Sequence, residues 1–162
     1  HLTKKLKNEI LVLNGGESFY GLESTVINVN DKYPKILRLG SITQEQIHEI
    51  IPNIVLENNY NVSNLSPGQQ KKHYAPNLPI RINVNEVLDN EALLNFGNNK
   101  LKSNTIELNL SPEGSLEEAA KNLYDYLHRL DNSKCNGIAV APIPNHNLGK
   151  TINDRLTRAS AN

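Results

Sequence analysis

Residues 66–76, Ser-Pro-Gly-Gln-Gln-Lys-Lys-His-Tyr-Ala-Pro, set Lys71, Lys72, His73 and Tyr74 in one unbroken run. Pro67-Gly68 is a turn signal, and the bracketing prolines bar the segment from a helix or sheet interior. A loop with two fixed positive charges, a titratable ring and a phenol suits an anion carrying an aromatic or apolar body, such as a nucleotide. A basic surface linker has the same composition, and these residues alone do not choose between the two.

Other residues can do chemistry elsewhere. Ser24 and Thr25 stand side by side in the strand-like stretch 21–29, whose two faces are both mixed. Their hydroxyls are either satisfied internally or aimed at something. Arg38 lies between Leu37 and Leu39 in a second short strand. A charged side chain there demands a partner, and a carboxylate and a ligand phosphate serve equally well. Asp154, Arg155 and Arg158 on the last helix read as surface ion pairs of small energy. His48, His128 and His146 show no metal-site spacing, and Cys135 has no companion that suggests catalysis. Gly149-Lys150-Thr151 matches the end of a phosphate-binding loop, but Pro144 stands where the first glycine belongs.

The elements that must position these residues follow from periodicity. Glu9–Leu13 reads as a buried strand, and Lys35–Leu39 as another, ended by Gly40. Thr43 with Gln46 forms a capping box, Ile42 and Ile47 a hydrophobic staple, and Ile47, Ile50 and Ile51 an apolar stripe closed by Pro52. Residues 53–77 form an extended connection. After Pro79, Ile80, Ile82 and Val84 alternate as a strand, and Asn85 caps a helix containing Val87, Leu88, Leu94 and Phe96. Ile106, Leu108 and Leu110 alternate again. Ser115 with Glu118 is a second capping box, opening a helix with the stripe Leu116, Ala119, Ala120, Leu123, Leu127 and Leu130. Ile138–Ala141 is apolar on both faces, as in a central strand, and Leu148, Ile152, Leu156 and Ala159 mark a last helix. Strand–helix alternation of this kind predicts a parallel sheet with right-handed crossovers.

Composition narrows the function. The 162 residues carry 17 basic and 17 acidic side chains, so no net field draws the chain to nucleic acid or membrane. No apolar run approaches the ~20 residues of a membrane span. A single cysteine fits a reducing, cytoplasmic compartment. Methionine is absent and the first residue is histidine, so the chain reads as a piece of a longer protein.

Glu23-Ser24-Thr25-Val26, then Ile36-Leu37-Arg38-x-Gly40-x-Ile42-Thr43, the 66–76 loop, and Ile152-Asn153-Asp154-Arg155-Leu156 occur in that order. Together they resemble the two-domain Sua5 form of the YrdC/Sua5 family, the L-threonylcarbamoyladenylate synthases. The resemblance implies three parts. Residues 1–52 would end a YrdC-like α/β catalytic domain, 53–77 would be a lid or linker, and 78–162 a small Rossmann-like three-layer α/β/α Sua5 domain with a mainly parallel sheet. It further implies a nucleotidyltransferase that makes threonylcarbamoyl-AMP and pyrophosphate from L-threonine, bicarbonate and ATP, with Mg2+. The product would serve N6-threonylcarbamoyl modification of tRNA, reached through downstream transferase machinery. By the same resemblance Ser24 would contact threonine, Arg38 and Tyr74 would bind ATP, and Thr25, Ser66, Lys72 and His73 would belong to the lid. The chain alone would be inactive. A rival expectation is a non-catalytic module that binds nucleotide or tRNA.

Overall fold

The structure, a computed structural model, describes residues 13, 16, 21–30, 32–57 and 75–161. Residues 9–12 of the expected strand at Glu9–Leu13, and residues 58–74 of the expected 53–77 connection, lie outside the described residues.

The described chain begins with strands β1 (Val26–Asn28) and β2 (Lys35–Arg38), helix α1 (Gln44–Ile50) and strand β3 (Val55–Leu56). They form a three-stranded sheet in the order β1-β2-β3, antiparallel between β1 and β2 and parallel between β2 and β3. Thr43 caps α1 with the full reciprocal box, its hydroxyl accepting from Gln46 N while Gln46 Oε1 accepts from Thr43 N. The apolar stripe is narrower than expected. Ile47 is buried, but Ile50 is 83% exposed and Ile42 44%. Ile36, Leu39, Ile47 and Ile54 make a small core of their own.

The second unit contains β4 (Ile80–Arg81), β5 (Glu91–Asn95), β6 (Glu107–Asn109), α2 (Leu116–Asp131), β7 (Gly137–Val140) and α3 (Leu148–Ser160). Its four strands lie in the order β4-β7-β5-β6, and every pairing is parallel. This is the expected mixed α/β architecture. β7 sits between β4 and β5 and is buried along its length, which is why both its faces are apolar. α2 and α3 pack on each other and against β5 and β4. The α2 stripe is buried at every expected position, and each large side chain there contributes about 1.5–3 kcal/mol.

One expected element is different. Residues 85–96 are not a helix: 91–95 form β5. An unbroken apolar run does not distinguish a buried helix from a buried strand. Asn83 (φ 54°) and Asn90 (φ 64°) take left-handed conformations that break a helical path on either side of 85–89. Glu91 is then tied down by Arg81, whose Nε and Nη2 donate to its two carboxylate oxygens at 2.8 and 2.7 Å.

The second capping box is a relay. Ser115 Oγ accepts from Glu118 N at 3.2 Å, but the Glu118 carboxylate accepts from Ser111 Oγ at 2.5 Å rather than reaching back to the cap. Ser111 Oγ in turn accepts from Ser115 N at 2.9 Å. The same orphan donors are satisfied with one extra hydroxyl.

Candidate functional site

Antiparallel pairing sets Val26 opposite Arg38, and the register shifts between Val26 and Ile27. Such a bulge turns side chains at a strand's end. Here the shift lies beside Ser24 and Arg38. Arg38 donates from Nε and Nη2 to the Ser24 carbonyl at 3.2 and 2.9 Å, and from Nη2 to Ser24 Oγ at 3.2 Å. Arg38 thus meets a carbonyl and a hydroxyl of Ser24. Ser24 is exposed and Arg38 half-buried, so an exposed hydroxyl and a fixed cation stand together. Thr25 Oγ1 donates to the Ile42 carbonyl at 2.5 Å and ties the strand start to the turn before α1. Ser66, Lys72, His73 and Tyr74 lie outside the described residues.

Behind this pair the two units interlock. Gly21 lies so close to α2 that a Cβ there would fall 2.3 Å from Ala120 O. Leu22 is buried in the larger core. Glu23 then accepts from the Tyr124 hydroxyl through both carboxylate oxygens at 3.1 Å, and from Arg155 Nε at 3.0 Å. Arg155 Nη2 donates to the Leu39 carbonyl at 2.7 Å and Nη1 to Asp154. Asp154 also accepts from Arg158 Nε at 3.0 Å. Thr151 Oγ1 donates to the Gly40 carbonyl at 3.0 Å, and Lys150 Nζ pairs with Glu45 at 2.7 Å.

The expectation of surface pairs on the last helix is therefore corrected for Arg155, which is only 7% exposed. A signal was present: Arg155 is three residues after Ile152 and four before Ala159, on the apolar stripe itself. A cation on that face must find buried partners. Tyr124 occupies the corresponding place four residues after Ala120. The partner residue Glu23 carried no such mark, because nothing local shows that it meets a helix more than a hundred residues away.

Protonation follows from these contacts. Burial pushes the Glu23 carboxyl up, but the Arg155 guanidinium, backbone donation and the Tyr124 hydroxyl outweigh it and hold Glu23 below its ordinary value. Burial and then the Glu23 carboxylate push the Tyr124 phenol well above its ordinary range, so it stays a donor. Burial disfavours the Arg155 charge, yet Glu23 first, then Tyr124 and Asp154, raise its pKa. Glu23 is thus an anion held between a committed cation, Arg155, and a committed hydroxyl donor, Tyr124.

Among the described residues no group of three or more His, Cys, Asp or Glu side chains is arranged to hold a metal ion. No described helix is long and apolar enough to cross a membrane.

Comparison with known proteins agrees with this architecture. The family described as "Threonylcarbamoyl-AMP synthase, C-terminal domain" matches residues 42–161. The threonylcarbamoyl-AMP synthase of Bacillus subtilis (strain 168) is 29% identical over 178 residues, covering 99% of this chain and 51% of the relative. That of Pyrococcus abyssi (strain GE5 / Orsay) is 26% identical over 166 residues, covering 92% and 48%. The chain thus spans about half the length of the curated relatives it matches. The crystal structure of P. abyssi Sua5 complexed with L-threonine shares the fold with a TM-score of 0.75 at 24% identity, over 90% of this chain and 48% of that one. A second P. abyssi Sua5 structure, with an adjacent histidine and tyrosine both replaced by alanine, gives a TM-score of 0.71 at 23% identity, over 90% and 47%. Parallel sheet, buried α2 and α3 faces and family match converge: the chain belongs to the family of threonylcarbamoyl-AMP synthase C-terminal domains.

Proposed function

We propose that this chain forms part of an L-threonylcarbamoyladenylate synthase, which joins L-threonine, bicarbonate and ATP into threonylcarbamoyl-AMP and pyrophosphate. The product would feed threonylcarbamoyladenosine formation in tRNA in the cytoplasm. The observation that carries the reading is the meeting of the Ser24 hydroxyl with the Arg38 guanidinium, 3.2 Å apart, in a chain of this family.

Ser24 Oγ both donates and accepts, which suits the polar groups of threonine. Arg38 suits ATP phosphates, because attack of a carbamate on the α-phosphate builds charge on phosphate oxygens that a fixed cation stabilises. Carbamate and mixed anhydride are water-labile, so a closing loop is worth having. Tyr74, with Ser66, Lys72 and His73, supplies that loop, and Thr25, assigned to the same lid, is tied to the Ile42 carbonyl. Two neighbours support these roles: one solved P. abyssi Sua5 holds L-threonine, and the other lacks an adjacent histidine–tyrosine pair. His73-Tyr74 is the one such pair in this sequence. Magnesium, when present, would arrive on the ATP phosphates and neutralise their charge. The described residues offer no carboxylate cluster to hold it separately.

The test uses the gene product that carries this chain, with ATP, bicarbonate and magnesium, following pyrophosphate release with and without L-threonine. Threonine-dependent release is expected, with Ser24→Ala raising KM for threonine and Arg38→Met raising KM for ATP. Folded protein without threonine-dependent release refutes the reading. Residues 1–162 alone are expected to release none.

A further inference from the structure

Resting on the synthase reading, we propose that Arg155 is a positioning residue. From α3 it fixes Ser24 and Arg38 relative to each other, so that the C-terminal unit buttresses the substrate wall.

Three observations carry this. First, the two branches that bear the pair are each held next to the functional residue. Arg155 Nε donates to Glu23, the residue before Ser24, and Nη2 donates to the carbonyl of Leu39, the residue after Arg38. One planar guanidinium spans both branches, and its fork fixes their separation in a way that a lysine ammonium cannot. Second, the neighbouring contacts from the same unit act on the same two branches. Tyr124 holds Glu23, Thr151 holds the Gly40 carbonyl, and Gly21 and Leu22 pack into α2 and its core. The branches are also joined directly, Ser41 N donating to the Glu23 carbonyl at 2.8 Å. Third, the guanidinium is itself held. Asp154 and Arg158 complete the network, and Arg155 is buried at 7% exposure. Arg155 touches neither Ser24 nor Arg38 side chain in any of these bonds. Its action runs through the backbone that carries them.

The experiment compares Arg155→Lys with wild type in the gene product that carries this chain. Lysine keeps the charge beside Glu23 but lacks the planar fork that holds both branches at a fixed separation. Arg81→Met, which breaks an ion pair with Glu91 inside the second unit, serves as a stability control. Misplacement by about an ångström can cost on the order of 100-fold. The expected result is a loss of kcat/KM of about 10- to 100-fold in Arg155→Lys, appearing as raised KM for both threonine and ATP. A smaller folded fraction instead lowers apparent kcat and leaves both KM values alone; that pattern in Arg155→Lys, matching Arg81→Met, overturns the proposal.

A second readout needs no turnover. In residues 1–162, amide exchange at Ser41 should quicken about tenfold or more in Arg155→Lys, while Leu93 and Ala141, bonded within the parallel sheet, keep their protection. Unchanged exchange at Ser41 overturns the proposal. Thr151→Val, which removes only the hydroxyl bond to Gly40, should shift both readouts the same way by a smaller factor, and supplies the test if Arg155→Lys does not fold. If wild type shows no threonine-dependent release, the synthase reading falls, and the exchange result alone decides whether Arg155 sets the two branches.

Discussion

Gly40→Ala is the sharpest test of how tightly the candidate wall is built. A Cβ at this position would lie 2.3 Å from Thr25 N and 2.4 Å from both Glu23 O and Ser24 C. All three are backbone atoms, so none can swing aside as a side-chain end can. Ordinary carbon contacts lie at about 3.5–4.0 Å, so residues 23–25 must retreat by roughly an ångström. Overpacking of this kind costs about 1–3 kcal/mol. The retreat also breaks the bond from Ser41 N to the Glu23 carbonyl, 2.8 Å long, for about 1 kcal/mol more. Alanine recovers about 0.4–1 kcal/mol by restricting the unfolded chain. The net loss is therefore about 1–3.6 kcal/mol, or about 2–14 °C in Tm for a chain of this size. Gly97→Ala is the control, with φ +66° and nothing within 4 Å of its added Cβ. Its cost is the left-handed conformation alone, about 1 kcal/mol before the same offset. Urea unfolding of both variants at neutral pH measures the difference. If Gly40→Ala loses no more stability than Gly97→Ala, the close crossing of residues 23–25 over Gly40 is not a constraint and the reasoning fails.

Tyr124→Phe removes a hydroxyl that donates to both Glu23 oxygens while leaving Arg155 in place, and should cost about 1.5 kcal/mol in urea unfolding; a loss below about 0.3 kcal/mol would mean the phenol contributes nothing. Acid should destabilise the chain through Glu23, Glu45 and Glu91, each held below its ordinary value. For Glu23 and Glu45 burial opposes that shift, and Arg155 and Lys150 respectively overcome it; for Glu91 the Arg81 bond leads. A carboxylate with a lowered folded pKa binds fewer protons folded than unfolded. Its stabilisation is thus complete above the unfolded value of about 4.3 and is lost as pH falls through the folded one. Glu23→Gln should flatten that acid limb, and an unchanged limb would assign the lability elsewhere. Arg81→Met leaves the Glu91 carboxylate, 10% exposed, with the Leu88 amide as its remaining hydrogen-bond donor among the described residues. The expected loss is about 2 kcal/mol, discounted because Arg81 is 41% exposed. Protonation of Glu91 should shrink that loss in acid, so equal losses at pH 7 and in acid would count against it.

Much was legible from the chain because the signals are local. The Thr43–Gln46 box needs only four consecutive residues, and it forms as read. The α2 stripe repeats with the helical period, and all six of its positions are buried. Residues 138–141 are apolar on both faces because they form the sheet's centre, and 137–140 are that strand. Family membership was also legible, since motif order survives in the sequence whatever the fold does locally.

What failed was local pattern without a local cause. Residues 91–95 carry the same apolar run whether coiled or extended, and only pairing with β6 and β7 makes them a strand. Ile50 looks like core but has no neighbour to cover it among the described residues and is 83% exposed. The ends of the wall show the limit most clearly. Ser24 and Arg38 are fourteen residues apart, and strand pairing brings them into contact. Glu23 and Arg155 are 132 residues apart, and an exposed salt bridge and a buried clamp have the same two residue types. Sequence determined which groups the chain owns and which faces are apolar, because those depend on side chains and short periods. Only the tertiary structure decided which cation is desolvated, which carboxylate it meets and which strands it joins, because burial is a property of neighbours distant in the chain.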